Sequence, residues 1–79
     1  MSIDKIDLDE IKPGEKCKIV EVFLEGAEGQ RLLDMGFIKN TEVEIIRNAP
    51  FSDPVEVRIR GYNVNLRHSE AKKLKVVRI

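Results

Sequence analysis

Residues 55–60 alternate between apolar and charged side chains, and this pattern constrains the fold more than any other feature of the chain. Every odd position in the segment is β-branched and apolar, and every even position is charged. Successive side chains of a strand point to opposite faces, so one face is predicted to be buried and the other exposed. Gly61 allows a tight reversal, and the alternation resumes over residues 62–66, which predicts a β-hairpin. The predicted core face of the first strand consists of Val55, Val57 and Ile59.

Three further segments are predicted to be strands. They cover residues 16–24, 41–47 and 75–79. Pro13-Gly14 forms a turn before the first of them, and Asn48-Ala49-Pro50 ends the second. Within the first segment, Cys17 and Ile19 are expected to face the core.

One short helix is predicted between Gly26 and Gly36. Leu32 and Met35 lie one turn apart within it and form an apolar stripe. Gly36 suits the left-handed position just past a helix end, and Phe37 can then pack back on Leu32, as in a Schellman motif. The helix is therefore expected to stop sharply at Gly36.

The predicted elements sum to five strands, one short helix and a C-terminal helical turn over residues 69–74 that Ser69 caps. With 79 residues, the chain fits a single domain over residues 1–79. Short antiparallel strands in so small a domain favour a mostly-β SH3-like barrel, because closure removes exposed edges. An OB-fold is the alternative, although its usual helix position does not match.

The balance of charge argues against several classes of partner. Fourteen basic and fourteen acidic side chains give a net charge of zero, although residues 1–28 are mainly acidic and residues 58–79 mainly basic. A neutral chain lacks the general attraction to nucleic acid or acidic membranes, so neither nucleic-acid binding nor membrane insertion is expected. The single cysteine, the absence of a long apolar stretch and the acidic start together predict a cytoplasmic location.

No arrangement of residues indicates catalysis. Cys17 lies in a predicted strand without a second cysteine, and burial in the core is favoured over metal binding or nucleophilic attack. His68 has no recognisable partner for acid-base work, and we expect it to be a solvent-exposed loop histidine. The chain is therefore predicted not to be an enzyme.

Two weak patterns leave RNA binding as an alternative. Gly26-Ala27-Glu28-Gly29 has the spacing of an RNA-clamping loop, but a glutamate stands where phosphate would need a cation. Arg58 and Arg60, together with Arg47 and Arg67, could form a basic face. Only Tyr62 is near them as a stacking platform, so a solvated or protein-binding face is favoured.

Residues 30–37, Gln-Arg-Leu-Leu-Asp-Met-Gly-Phe, carry a resemblance to a known family. Together with the segments that follow, they resemble the ferrous iron transport protein A (FeoA) family in order and spacing. The further matching segments are Ile6-Asp7-Leu8, Lys12-Pro13-Gly14, Ala49-Pro50, Asp53-Pro54-Val55, Leu66-Arg67, Glu70-Ala71 and Lys75-Val76. The chain departs from the family at Lys39-Asn40, where Pro-Gly is common.

The resemblance implies an SH3-like barrel that serves as a cytoplasmic accessory protein of bacterial ferrous iron uptake. Its implied partner is the membrane ferrous iron transporter, which carries a G-protein domain. Similar domains end metal-dependent repressors, so a metal-sensing or repressor-associated domain is an alternative, as is a small-barrel RNA binder. The family association with transition metals such as Fe²⁺ brings no required cofactor, because His68 beside Glu70 is too little for a metal site.

The segment from Arg31 to Phe37 is the predicted place of partner contact. Its four apolar side chains exceed what one short helix can bury. We assign Leu33 and Phe37 to the core, and we expect Leu32 or Met35 to be partly exposed. The predicted partner-binding residues are Arg31, Leu32 and Met35, and the predicted structural turns are Gly36, Asp53 and Pro54.

Overall fold

A computed structural model of the chain describes residues 4–79. Its strands are β1 (Ile6–Asp7), β2 (Lys16–Val22), β3 (Glu42–Arg47), β4 (Val55–Ile59), β5 (Tyr62–Leu66) and β6 (Leu74–Arg78). Its α-helices are α1 (Gly26–Asp34) and α2 (His68–Ala71), and a 3₁₀ helix covers Leu8–Glu10. Residues 1–3 of the predicted domain 1–79 lie outside the described part, and the assignment of a single domain stays a prediction.

The strands form one antiparallel sheet in the order β1-β6-β2-β3-β4-β5. The register shifts within β2, between Ile19 and Glu21, and within β3, between Ile45 and Arg47. Such β-bulges bend a strand and increase its twist. A sheet curved in this way can wrap around its own apolar face and enclose a core.

The hairpin of β4 and β5 has the predicted register. Val57 lies opposite Val64, and Val55 lies opposite Leu66. Arg60 and Gly61 both adopt a positive φ, of 52° and 86°, which is the backbone conformation that two-residue hairpin turns require. The prediction that the odd positions of β4 are buried is confirmed, since Val55, Val57 and Ile59 are almost completely buried.

One apolar core unites the sheet, α1 and the 3₁₀ helix. Cys17 and Ile19 are buried as predicted. The remaining buried core members are Leu8, Ile11, Leu32, Phe37, Val43, Ile45, Val55, Val57, Ile59, Val64, Leu66, Ala71, Leu74 and Val76. Two short elements near the ends of the chain, the 3₁₀ helix and α2, thus supply part of the core through Leu8 and Ala71.

The C-terminus of α1 has the Schellman geometry that the sequence predicts. The Phe37 N–H donates to the Leu32 carbonyl at 3.0 Å, and the Gly36 N–H donates to the Leu33 carbonyl at 3.0 Å. Gly36 has a φ of 101°, which side chains rarely adopt. The turn returns Phe37 to the core, where it is completely buried beside Leu32.

Two local predictions differ from the structure. Within residues 4–79 the sheet has six strands, one more than the five predicted. The additional strand is β1, which the sequence did not reveal because it is only two residues long and shows no periodicity. Ser69 is not the cap of α2, which begins at His68 with Arg67 as the N-cap residue. The Glu70 carboxylate accepts the Arg67 N–H at 2.9 Å, so a carboxylate within the helix pairs with the backbone of the N-cap residue.

Candidate interaction surface

Helix α1 buries Leu32 and exposes the next residue, Leu33. Leu32 has no exposed surface, whereas Leu33 is 49% exposed. Because a helix turns by about 100° per residue, adjacent side chains cannot both face the core. The assignment of Leu33 to the core is therefore wrong, since Phe37 fills the core beside Leu32 instead. Leu32 is also wrong as a partner-binding residue, because its buried side chain offers a partner no surface.

Arg31 holds α1 against α2. Its Nη2 donates to Oε2 of Glu70 at 2.8 Å, and the Glu70 side chain is only 4% exposed. Both residues line a shallow groove with Ala27, Glu28 and Arg67. An unpaired buried carboxylate is costly, so Arg31 stabilises the fold at this position. Half of the Arg31 side chain remains exposed, and its contact with a partner stays a prediction.

The turn between β4 and β5 lies against the end of α1. Tyr62 Oη donates to the Met35 carbonyl at 2.8 Å and thereby satisfies an acceptor at the helix terminus. The Arg60 side chain covers Gly36, because a methyl group on Gly36 would lie 2.8 Å from Arg60 Nε. A cation beside a helix C-terminus is favourable, since the helix dipole places partial negative charge there.

These contacts create a mixed apolar and cationic surface at the end of α1. We name it the α1-end surface and define it by Leu33, Met35, Ile38, Arg60 and Tyr62. Leu33, Ile38 and Tyr62 are large exposed apolar residues, and Met35 is partly buried against the core. Of the predicted partner-binding residues, only Met35 belongs to this surface. Arg60 and Tyr62 were not predicted to belong to this surface, because no local pattern in the β4–β5 hairpin indicates that it lies near α1.

The loop over residues 48–54 presents an exposed aromatic side chain outside the α1-end surface. Phe51 is fully exposed, at 101%, and stands between two prolines in a segment that is otherwise polar or small. Asp53 and Pro54 end this loop, and the bond between them is cis. The sequence signal for the exposure of Phe51 is an aromatic residue placed between two prolines that mark a turn.

His68 does not lie exposed in a loop, as was predicted, but begins α2 and contacts loop 48–54. Its side chain is only 17% exposed. Nε2 lies 2.9 Å from the carbonyl oxygens of Ala49 and Ser52, and Nδ1 lies 3.3 Å from Oδ2 of Asp9. Burial lowers the pKa of His68, but these hydrogen bonds outweigh it and hold the pKa above the ordinary value of 6.5. The prediction of an exposed histidine was wrong because it could not foresee acceptors far away in sequence.

Cys17 has the environment of a core residue. Its thiol is completely buried and contacts the Val43 carbonyl oxygen at 3.6 Å. Burial raises the pKa of Cys17 to about 12, so the thiolate needed for nucleophilic attack or metal binding does not form near neutral pH. Within residues 4–79, no group of three or more His, Cys, Asp or Glu side chains could hold a metal ion.

The two patterns that suggested RNA binding have structural explanations. Gly29 lies within α1, where a methyl group would stand 2.8 Å from the backbone of Leu24, so the close approach of the helix requires glycine. Arg58 Nη1 lies 3.9 Å from Glu44, and Arg47 Nε lies 3.9 Å from Glu56. Carboxylates on neighbouring strands therefore offset two of the four arginines.

No helix within residues 4–79 is long and apolar enough to cross a membrane.

A family model and a curated relative identify the family of this chain. The family model for the FeoA domain matches residues 6–78. The Fe(2+) transport protein A/Fe(2+) transporter FeoB fusion protein of Porphyromonas gingivalis is 39% identical over 69 residues, which are 87% of this chain and 8% of the fusion protein. The chain thus spans less than a tenth of that relative.

Two solved structures have the same fold. A FeoA-like protein from Clostridium acetobutylicum is 37% identical and superposes with a TM-score of 0.79 over 96% of this chain and 87% of that one. The FeoA of Stenotrophomonas maltophilia, described as a prokaryotic SH3 domain protein and solved with zinc, is 30% identical, with a TM-score of 0.72 over 90% of this chain and 88% of that one. The predicted mostly-β SH3-like fold is thereby confirmed. Because the FeoA family model matches residues 6–78, the chain belongs to the FeoA family.

Proposed function

We propose that this chain is a non-enzymatic accessory protein of ferrous iron transport that binds the cytoplasmic side of the membrane ferrous iron transporter. The observation that carries the proposal is the fusion protein of P. gingivalis, whose name joins Fe(2+) transport protein A to the transporter FeoB. In the fusion protein, the covalent link holds the transport protein A part beside the transporter. A separate chain of the same family has no such link, so it needs a binding surface to reach the same position. The proposed partner includes the G-protein domain of the transporter.

The α1-end surface is the proposed contact. Its exposed side chains, Leu33, Ile38 and Tyr62, supply the apolar centre that a protein interface needs. Arg60 adds a cation that makes no ion pair with any residue of 4–79. The complementary surface on the partner is therefore expected to be an apolar patch with acidic residues at its edge. It also stands on α1 and the β4–β5 hairpin rather than on a long loop, which keeps its shape before binding.

The test is binding of the purified chain to full-length transporter in membranes, comparing Leu33→Asp with Phe23→Asp. Both side chains are apolar and about half exposed, at 49% and 54%, but Phe23 lies in a separate groove with Lys5, Glu21 and Lys75. A buried anchor lost from an interface costs about 2 kcal/mol or more, so Leu33→Asp should weaken affinity at least about thirtyfold. Phe23→Asp should bind like the wild type.

Two results would count against the proposal at different levels. Equal binding by the two variants would show that the α1-end surface is not the contact. Absence of binding by the wild-type chain, with normal ferrous iron import in cells that lack it, would rule out the accessory role. Arg31→Glu is not a suitable probe, because it would leave the buried Glu70 unpaired and destabilise the fold.

The RNA alternative predicts a different pattern. Binding to single-stranded RNA would fall steeply with salt and would be lost in Arg58→Glu, which lies outside the α1-end surface. Leu33→Asp would leave that binding unchanged. Titrating the wild-type chain with transporter and with RNA at low and high salt therefore separates the two functions.

A further inference from the structure

Loop 48–54 is tied to distant parts of the chain by polar side chains. Asn48 Nδ2 donates to the carbonyls of Asp9 and Ile11 at 2.8 and 2.9 Å. His68 supplies the second attachment, at the other end of the segment that carries Phe51. The loop itself contributes little, since its one internal backbone hydrogen bond, from Ser52 N–H to Ala49, is long at 3.4 Å. The conformation of the loop therefore depends mainly on side-chain contacts with residues distant in sequence.

Both ring nitrogens of His68 face hydrogen-bond acceptors only. Nδ1 faces the Asp9 carboxylate, and Nε2 faces the carbonyl oxygens of Ala49 and Ser52. A neutral imidazole carries one N–H, whichever nitrogen bears it, while the imidazolium carries two. The neutral ring therefore leaves a lone pair directed either at a carboxylate or at two carbonyls. Only the protonated ring satisfies every contact.

We propose that His68 is a protonation-controlled clamp on loop 48–54. Protonated, the ring joins Ala49 and Ser52 on one side to Asp9 on the other and holds the backbone of the loop. Deprotonated, the ring keeps one N–H: on Nδ1 it leaves the loop carbonyls without a donor, and on Nε2 it leaves the ring without its anchor on Asp9. In both cases the loop backbone is held less firmly than when His68 is charged, which affects how much entropy a contact through this loop must overcome.

The charges around the ring are compatible with this role. Asp9 approaches from the 3₁₀ helix, and its Oδ2 also accepts from Lys72 Nζ of α2 at 2.8 Å. Asp53, in the loop, accepts the His68 backbone N–H at 2.7 Å. The hydrogen bond to Asp9 raises the pKa of Lys72, so this ammonium stays charged at neutral pH. His68 is the chain's single histidine, and a change in loop order near neutral pH can be assigned to it.

Because both ring nitrogens face acceptors, the contacts favour the protonated ring, and the raised pKa of His68 agrees with this direction. A group whose pKa is higher in the folded state than in the unfolded state stabilises the fold fully below its unfolded pKa. That contribution is lost as the pH rises through the folded value. The clamp is therefore closed below about pH 6.5, and it opens as the pH rises through the pKa of His68 in the folded chain, which lies above the ordinary value.

The experiment measures the order of the backbone at Phe51, Ser52 and Asp53, because the Phe51 ring is fully exposed and its own rotation would mask the motion of the loop. NMR relaxation of the Cα–H bonds of these residues is recorded between about pH 5.5 and about pH 9, while the His68 ring is titrated in the same samples. The order parameter should fall from about 0.85 towards about 0.6 over the titration of His68.

Two controls make the test decisive. In His68→Gln, whose amide cannot titrate, the order of the loop backbone should not depend on pH. The backbone at Phe23, outside the loop, should also be independent of pH. The proposal is overturned if the loop backbone keeps the same order in both protonation states of His68, or if its pH dependence persists in His68→Gln. Chain stability should likewise fall with rising pH only when His68 is present.

Discussion

Phe37 and Phe51 both follow a turn-forming residue in an irregular segment, yet their environments are opposite. Phe37 comes after Gly36 and is completely buried, and Phe51 comes after Pro50 and is fully exposed. The backbone hydrogen bonds that fix Phe37 come from residues within five positions of it. Loop 48–54 is instead attached through Asp9, Ile11 and His68, which lie up to 39 positions from the loop residues that they contact. Local turn chemistry therefore determines one of these positions, and the tertiary structure determines the other.

The largest expected effect separates the two phenylalanines by stability. Phe37→Ala removes a completely buried ring and should lower the free energy of unfolding by about 3–5 kcal/mol. Phe51→Ala, the matched control, should change it by less than about 0.5 kcal/mol. Urea denaturation of both variants provides the measurement. Similar losses for the two would mean that Phe51 packs in solution and that the contrast between the regions is wrong.

Gly36→Ala should have the next largest effect. Its φ of 101° is strained for alanine by about 1–2 kcal/mol, and the methyl group would also displace the Arg60 side chain. Gly14→Ala is the control, because Gly14 has a φ of 88° with no atom within 4 Å of the added methyl. Thermal unfolding should show a greater loss for Gly36. Equal losses would indicate that Arg60 moves away at no cost.

Asn48→Ala should weaken the attachment of loop 48–54. It removes the donor to two backbone carbonyls and should cost about 1–2 kcal/mol, because acceptors are left unpaired. Hydrogen exchange should also accelerate within the loop while the Gly36 turn stays protected. Asn63→Ala, whose bond to Glu56 is exposed, should cost less than about 0.5 kcal/mol. A loop as protected in Asn48→Ala as in the wild type would contradict this attachment.

The smallest expected effect is that of a metal chelator on either region. The core consists of apolar side chains, and no cluster of metal-binding residues occurs within residues 4–79. We therefore expect the unfolding midpoint to be the same with and without chelator. A cooperative loss of structure on chelation, reversed by ferrous or zinc ions, would show that the fold depends on metal. Weak binding at the surface would leave the midpoint unchanged.

The α1 region shows how far local patterns can be extended into tertiary structure. The helix, its end at Gly36 and the return of Phe37 could all be predicted, because each depends on residues close in sequence. The choice between Leu32 and Leu33 was predicted wrongly. Both fit a short apolar helix, and the choice depends on how the helix rotates against the sheet, which nearby residues do not fix.

Alternation determined the strands and their buried faces, because a period of two assigns each side chain to a face whatever the partner strand is. Only the tertiary structure decided which polar side chains meet. Glu70 binds Arg31, His68 reaches Asp9, and Tyr62 reaches the end of α1 because the sheet brings these segments together. Hydrogen bonds and ion pairs need distances of about 3 Å between specific atoms, and no periodic pattern in a sequence encodes such distances.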